Sequence, residues 1–595
     1  MIGKALLTLI GCHRDQNASL NSRNAFLIAL LVSLLVSFTG VFDHSLWTPD
    51  EPRDAEIGRE MLVNGDFVVP TLAGEPFLEK PPLYWWVMAG LYRMFGVSDG
   101  VARTASALAG VLVLLIVFDF TRRLTTPFAG LMATVVTATM GGFYNHFHRV
   151  VVDPWLALFV MLGYWGFVYA TFCTRVSKEG EPPKPSAPGI FVFYLAAGLA
   201  FLSKGPVGPG LLAIPVFVGI VVNGRWDFFR SRVHIPGLLI FLLLCTLWPL
   251  MLYLRGGREL LNGFVLHNIV YRFLPPPDTG EVYRGGHRQP FWYYLQAIPS
   301  EITPWLITLP AVGHWLWRKR WPEGWNGPAL LFLALVLPVG AFLLTIPGTK
   351  RELYLLPLIA PLGIAVGAWV AATVGQAPYR TIDRFTNNIL FVLLSLVFVC
   401  GFAAMVWAYS VSPAFFLRFH TVLHTKPPAP LSFILLGALL AAGGGLILCG
   451  VDLWKRRSPS MGALCSWMAL AFVVLGGPLA YRLGDGFKSL HYMTRELQAL
   501  GASSSNLVGY CLDETTRSII PYDTGFMPQN ITGHKELSNY IRKNPSARLL
   551  TFEEYLLGLP EDIHSRLRVV GVWRFSKHRT YGLYEFSTTT PDAKE

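Results

Sequence analysis

Runs of roughly 17 to 25 mostly apolar residues, the length a helix needs to cross a bilayer, recur along this chain near 25–42, 104–120, 127–146, 155–174, 187–203, 206–222, 235–254, 293–317, 328–346, 353–374, 388–411, 431–451 and 461–481. The pattern predicts about thirteen transmembrane helices. A further apolar segment, Leu83 to Gly96, is short for a span and is interrupted by Arg93, so it is expected to be an interfacial helix.

Charge supports that count. With a cytoplasmic amino terminus and no crossing at 83–96, the basic groups Arg14/Arg23, Arg122/Arg123, Arg175/Lys178/Lys184, Arg225/Arg230/Arg232, Arg318/Lys319/Arg320, Arg380/Arg384 and Lys455/Arg456/Arg457 mostly share one side. Counting 83–96 as a crossing would invert every later loop. Composition agrees, with 53% hydrophobic and 14% charged residues in 595 and a mean hydropathy of +0.44, so the chain reads as a polytopic membrane protein. The net charge of +12 then reflects cytoplasmic loops rather than nucleic-acid binding. The first run follows more than twenty mostly polar residues without a small-residue cleavage site after it, and reads as an anchor. Seven cysteines, most in or beside spans, give no disulfide framework or zinc-type cluster.

After about residue 483 the chain turns polar. Candidate strands Asn506–Leu512, Arg568–Arg574 and Tyr581–Phe586 alternate with helix-like stretches 487–500 and 533–543, predicting a small α/β domain outside the cytoplasm. The expected organisation is a membrane domain over 1–483, including an outer loop 43–103 with interfacial helices, and a soluble domain over 484–595. The stretch Gly180–Pro185 reads as a proline-rich connector. The sequence shows no internal repeat and no phosphate-binding glycine loop.

The candidate chemistry lies on the outer face. Trp47-Thr48-Pro49-Asp50-Glu51-Pro52-Arg53-Asp54 places acids directly after the first span, where hydrocarbon would not tolerate them. Pro52 suits the first position of a helix, which makes Glu51 a possible N-cap, and Ile57, Met61 and Leu62 form its apolar stripe. Asp153-Pro154 repeats the arrangement at the outer end of the fourth span. Each acid alone could be a cap worth about 1 kcal/mol; two that converge could act as a general base, orient an acceptor, or stabilise positive charge on a sugar carbon. The outer cations Lys80, Lys204, Lys350 and Arg351 could pair with an anionic headgroup or merely snorkel. The loop 255–291 adds His267 and Arg272, and His267 with Glu79 could assist a divalent ion such as zinc, although the spacing is not that of a defined site.

These motifs carry a resemblance. Pro49–Glu56, Gly65–Pro70, Glu79-Lys80-Pro81-Pro82-Leu83, Asp153-Pro154, Phe201–Pro206, Gln289–Tyr294 and Lys350–Pro357 are similar, in order, to those of the bacterial lipid A aminoarabinose transferases, relatives of protein O-mannosyltransferases with the GT-C fold. The resemblance implies Asp50 as the principal catalytic acid, with Asp153 shaping the site. It implies Lys80 on the donor phosphate, and Lys204, Arg272, Lys350, Arg351 and Tyr354 as further headgroup contacts. Glu51 belongs to the same substrate-binding set, and Glu79 with His267 matches a possible divalent-metal position.

The expected reaction is inverting transfer of a sugar, 4-amino-4-deoxy-L-arabinose by resemblance, from polyprenyl phosphate to lipid A phosphate. It would occur at the periplasmic face of a bacterial inner membrane. A mannosyl-type transferase acting on protein or surface glycan is the alternative enzyme. A lipid-linked-sugar transporter is the alternative class, disfavoured because charges are scarce inside the spans.

Overall fold

A computed structural model describes residues 21–173, 184–270, 288–374, 380–411, 430–457, 459–576 and 579–586. Among them, eight helices are long and apolar enough to cross a membrane, and Ser22–Phe38, Pro127–Ala138 and Val207–Asn223 are shorter apolar helices. The order of apolar segments follows the sequence reading, but two expected spans are broken. Pro127–Ala138 gives way at Thr139 to a separate helix, Gly141–Phe147. Tyr293–Ile302 and Leu309–Trp317 are separated by Thr303-Pro304 and a 3₁₀ turn; proline supplies no N–H and disfavours a helical residue before it.

Small residues set the packing at the centre. The apolar window within Glu352–Thr373 is 100% buried, and a Cβ on Gly363 or Gly367 would meet Thr137 or Ala133 of Pro127–Ala138 at 2.0 and 2.2 Å. Glycine therefore permits backbone approach where lipid provides little drive for helix association. The opposite case is His234–Asn262, whose Leu238, Leu239, Leu242, Leu243 and Leu250 stay exposed, as a lipid-facing surface requires.

The outer loop is folded. Helix Leu83–Phe95 spans only 13 residues, about 20 Å, and lies against Asp50–Asn64 and Asp99–Leu124. Tyr84, Trp85 and Met88 are buried there. Strands β1 (Thr71–Leu72) and β2 (Glu75–Pro76) form a small hairpin, tied down where Thr71 donates to Glu60 at 2.5 Å.

The carboxyl-terminal sheet domain contains β3 (Leu507–Tyr510), β4 (Gln529–Ile531), β5 (Arg548–Phe552), β6 (Leu567–Ser576) and β7 (Arg579–Phe586), in the order β4-β3-β5-β7-β6. β3 pairs parallel with β4 and β5, whereas β7 pairs antiparallel with β5 and β6. Its helices His491–Ala499 and His534–Lys543 agree with the sequence expectation. The central strand β5 and helix Glu514–Thr524 were not anticipated.

Candidate active site

The site is organised by helix Asp50–Asn64. Its first turn carries Asp50 and Glu51, where free N–H groups and the helix dipole favour carboxylates. It ends at Gly65, whose φ of +66° is the left-handed conformation glycine adopts readily. Ile57 and Met61 seat the helix in the core. The expected start at Pro52 with Glu51 as N-cap is corrected: the helix begins at Asp50, and Pro49 occupies the cap without a side-chain bond.

On one side of this helix, charges alternate in sign. Arg351 grips Asp50 with both terminal nitrogens, Nη1 reaching Oδ1 at 3.0 Å and Nη2 pairing with Oδ2. Arg53 adds a bond to the same Oδ1 at 3.2 Å, another to Asp54 at 3.2 Å, and a third to Glu514 of the carboxyl-terminal domain at 3.1 Å. Burial alone would raise the Asp50 pKa, but hydrogen bonding from Arg351 and the charges of Arg53, Arg351 and Lys80 hold it well below the usual carboxylate range. Asp54 is fully buried, accepts from the Trp85 indole at 3.1 Å, and faces Lys80 at 4.0 Å. Burial pushes the Lys80 ammonium down, with Asp54 opposing that shift and Lys204 reinforcing it.

Asp153 completes the same surface. It opens helix Asp153–Thr171, followed by Pro154 as the sequence indicated. Lys204, at the end of Ala187–Lys204, reaches it at 2.5 Å and lies 4.1 Å from the centre of the Tyr354 ring. Asp153 is near enough to contribute to the field at Arg351. The structure thus gathers Asp50, Asp153, Lys80, Lys204, Arg351 and Tyr354. The buried Tyr294 hydroxyl lies beside the Arg351 backbone, within electrostatic reach of Tyr354 and Asp153. Lys350 serves the frame, donating to the backbone oxygens of Gln289 at 3.2 Å and Pro347 at 2.8 Å. Arg272 lies outside the described residues.

The other side of the helix is closed. Glu51, 1% exposed, accepts from Arg103 Nε at 3.2 Å and Nη2 at 2.7 Å, from Trp47 N–H at 2.6 Å and from Val150 N–H at 3.0 Å. Four donors fill the acceptor sites of a carboxylate. Held in this way, Glu51 joins the segments that carry Trp47, Arg103 and Val150. Arg103, fully buried, also binds the carbonyls of Val41, His44 and Ser45. The sequence signal for this role was a lone arginine at the start of an apolar run.

Glu79 and His267 do not supply a metal centre by themselves: among the described residues no three His, Cys, Asp or Glu side chains gather to hold an ion. Glu79 instead lines an open cavity of about 460 Å³ with Asn268, Glu514 and Arg517.

The chain matches the family model described as dolichyl-phosphate-mannose-protein mannosyltransferase over residues 79–249. It is 29% identical to undecaprenyl phosphate-alpha-4-amino-4-deoxy-L-arabinose arabinosyl transferase 2 of Sodalis glossinidius over 65% of this chain and 66% of that protein, just under two thirds of the relative's length. It is 26% identical to the corresponding transferase of Pseudomonas paraeruginosa over 77% of each chain. Its fold matches the crystal structure of ArnT from Cupriavidus metallidurans bound to undecaprenyl phosphate, with a TM-score of 0.67 at 19% identity, covering 94% of this chain and 97% of that one. The chain is thus similar in sequence to the aminoarabinose transferases and, over residues 79–249, to the protein mannosyltransferase family, and it shares the helical fold of the ArnT structure.

Proposed function

We propose that this protein transfers 4-amino-4-deoxy-L-arabinose from undecaprenyl phosphate to a lipid A phosphate. We place the site and the carboxyl-terminal domain, from about residue 484 onward, on the periplasmic side of a bacterial inner membrane. The activities of these relatives support the donor and sugar. The observation that carries the choice of acceptor is the Asp50–Arg351 pair. A carboxylate held below its usual pKa by two guanidinium groups is a weak base. A hydroxyl acceptor, as in mannosyl transfer to protein, needs such a base; a phosphate acceptor is already anionic.

In this reading an acceptor phosphate oxygen attacks C1 of the pentose while the bond from C1 to the carrier oxygen breaks. The electron pair leaves on the carrier phosphate, the configuration at C1 inverts, and no proton has to be removed. Asp50 and Asp153 stabilise the positive charge developing on the sugar ring, while Lys80 and Lys204 receive the leaving phosphate. Arg351 fixes the Asp50 carboxylate through two bonds. Tyr354 supports Lys204, and Arg272 remains a headgroup contact by resemblance. No step is assigned to a metal.

The test is mass spectrometry of lipid A from cells lacking their own transferase, complemented with this chain or with Asp50→Ala. The expected result is a mass gain of one aminopentose that vanishes in the variant. An unchanged lipid A, with both proteins present in the membrane, overturns the acceptor assignment.

A further inference from the structure

A second cationic surface lies behind Asp50, on loops that the transfer step does not use. Arg149 sits 6.0 Å and Lys488 4.8 Å from the ring centre of Trp47. Lys488 is exposed, and its backbone oxygen accepts from Thr48 N–H at 2.9 Å, two residues before Asp50. Neither cation has an ion-pair partner among the described residues, and Arg149 Nε is buried without an acceptor.

The nearby acids are already committed. Asp485 accepts from Ser45 N–H at 2.9 Å and from the Trp47 indole at 3.2 Å, and Glu51 is filled by its four donors. The adjacent imidazoles, His44 stacked on Tyr481 and His148 tilted against it, add no compensating charge. Burial pushes His44 down to about 2 and His148 down to about 4, so both are neutral near pH 7. Burial, with the neighbouring Arg149, also pushes the Lys488 ammonium below the ordinary lysine range. Two like charges held together without a counter-ion favour an added anion.

The surroundings identify the kind of anion. The cluster lies where two apolar helices, Ser22–Phe38 and Met461–Lys488, end, and the first of them exposes Leu31, Leu34 and Leu35. A ligand with an acyl tail along that apolar face would present its headgroup at Arg149 and Lys488.

We infer that Arg149, Lys488 and Trp47 form a phosphate-headgroup site for a membrane lipid, separate from the donor-phosphate cations Lys80 and Lys204. Placing the acceptor lipid there deepens the proposed transfer reaction and rests on it; the phosphate site itself does not. An acceptor with two phosphates could anchor one at this cluster while presenting the other to the reaction.

The first test measures binding, so it does not depend on turnover. Purified full-length protein and Arg149→Gln/Lys488→Gln are titrated with dihexanoyl phosphatidic acid by native mass spectrometry, with Arg149→Lys/Lys488→Arg as a charge-preserving control. The expected result is binding at least about tenfold weaker in the neutral variant and largely retained in the control, because a charge-assisted phosphate contact is lost. Equal affinity in all three overturns the site. Loss in both variants with native thermal unfolding also overturns it, since charge would not be the determinant.

The second test identifies the lipid. Transfer is measured in phosphatidylcholine nanodiscs, where the acceptor is the only added phosphomonoester lipid. A raised acceptor KM with unchanged donor KM and kcat assigns the site to the acceptor. Unchanged acceptor KM, with a defect only when anionic phospholipid is added, overturns that assignment and gives the site to a neighbouring headgroup. Absence of transfer in the wild type counts against the proposed reaction alone, while the binding titration still decides the phosphate site.

Discussion

Asp50 and Glu51 are adjacent, share one helical turn and are both largely removed from water, yet they have opposite kinds of surroundings. Glu51 is closed by four donors from Arg103, Trp47 and Val150. Asp50 faces a set of long cationic side chains from separate elements, of which Arg351 is 26% exposed. Saturation by a fully buried guanidinium and two backbone N–H groups makes a joint. Convergence of movable, partly wetted charges makes a place where another charged group can exchange in. Burial alone does not separate a structural carboxylate from a reactive one; the identity and mobility of its partners do.

The largest expected effect falls on the closed side. Glu51→Ala leaves the Arg103 guanidinium buried without its counter-ion, which should cost about 3–5 kcal/mol. Thermal unfolding in detergent and membrane yield would both register the loss. If Glu51→Ala unfolds like the wild type but loses turnover, the division into closed and reactive sides is wrong.

Asp50→Asn probes the other side. It keeps the shape of the side chain but removes the charge, and turnover should fall by about 10²–10³ with a smaller change in unfolding temperature than Glu51→Ala. Single-turnover rates with saturating donor separate the chemical step from binding. Lys80→Met should be milder, raising the donor KM by roughly tenfold if one charge-assisted phosphate bond is removed, with Lys80→Arg recovering much of it. An effect confined to the acceptor KM would move Lys80 away from the donor phosphate.

The sequence carried this site because its parts are short motifs pinned to span ends. An acid at a helix start and a lysine before a helix break must lie near the membrane face, so Asp50, Asp153, Lys80, Lys204 and Arg351 were legible without coordinates. Their pairings were not, since Asp50 and Arg351 are separated by 301 positions and only the packing of spans joins them. The fold was legible through hydropathy, but Gly141-Gly142 and Thr303-Pro304 sat inside apolar runs that read as continuous spans. In the carboxyl-terminal domain, β5 was missed because Leu549-Leu550-Thr551-Phe552 is a short run without strict alternation of apolar and polar residues, and Glu553-Glu554 after it open the helix Glu553–Leu556. The link from Glu514 to Arg53 had no local signature either, because an acid in a helical first turn is ordinary.

That link has a companion whose pH dependence can be read directly. His491, at the start of the carboxyl-terminal domain, lies 2.6 Å from Asp523 and 2.9 Å from Asp99, which opens the long helix after the outer loop. Burial alone would lower its pKa, but the two carboxylates outweigh burial and push it up to about 10. An unfolded histidine titrates near 6.5. The contribution of this contact is therefore fully present below about 6.5 and is lost as pH rises toward about 10. The effect is local, so the readout is hydrogen exchange in His491–Ala499, after correction for the intrinsic pH dependence of exchange. Protection should decline across that window in the wild type and be lower and flat in His491→Asn. Equal decline in both proteins would mean that the carboxyl-terminal domain is held to the outer loop by Arg53 and apolar packing, with His491 a bystander at the contact.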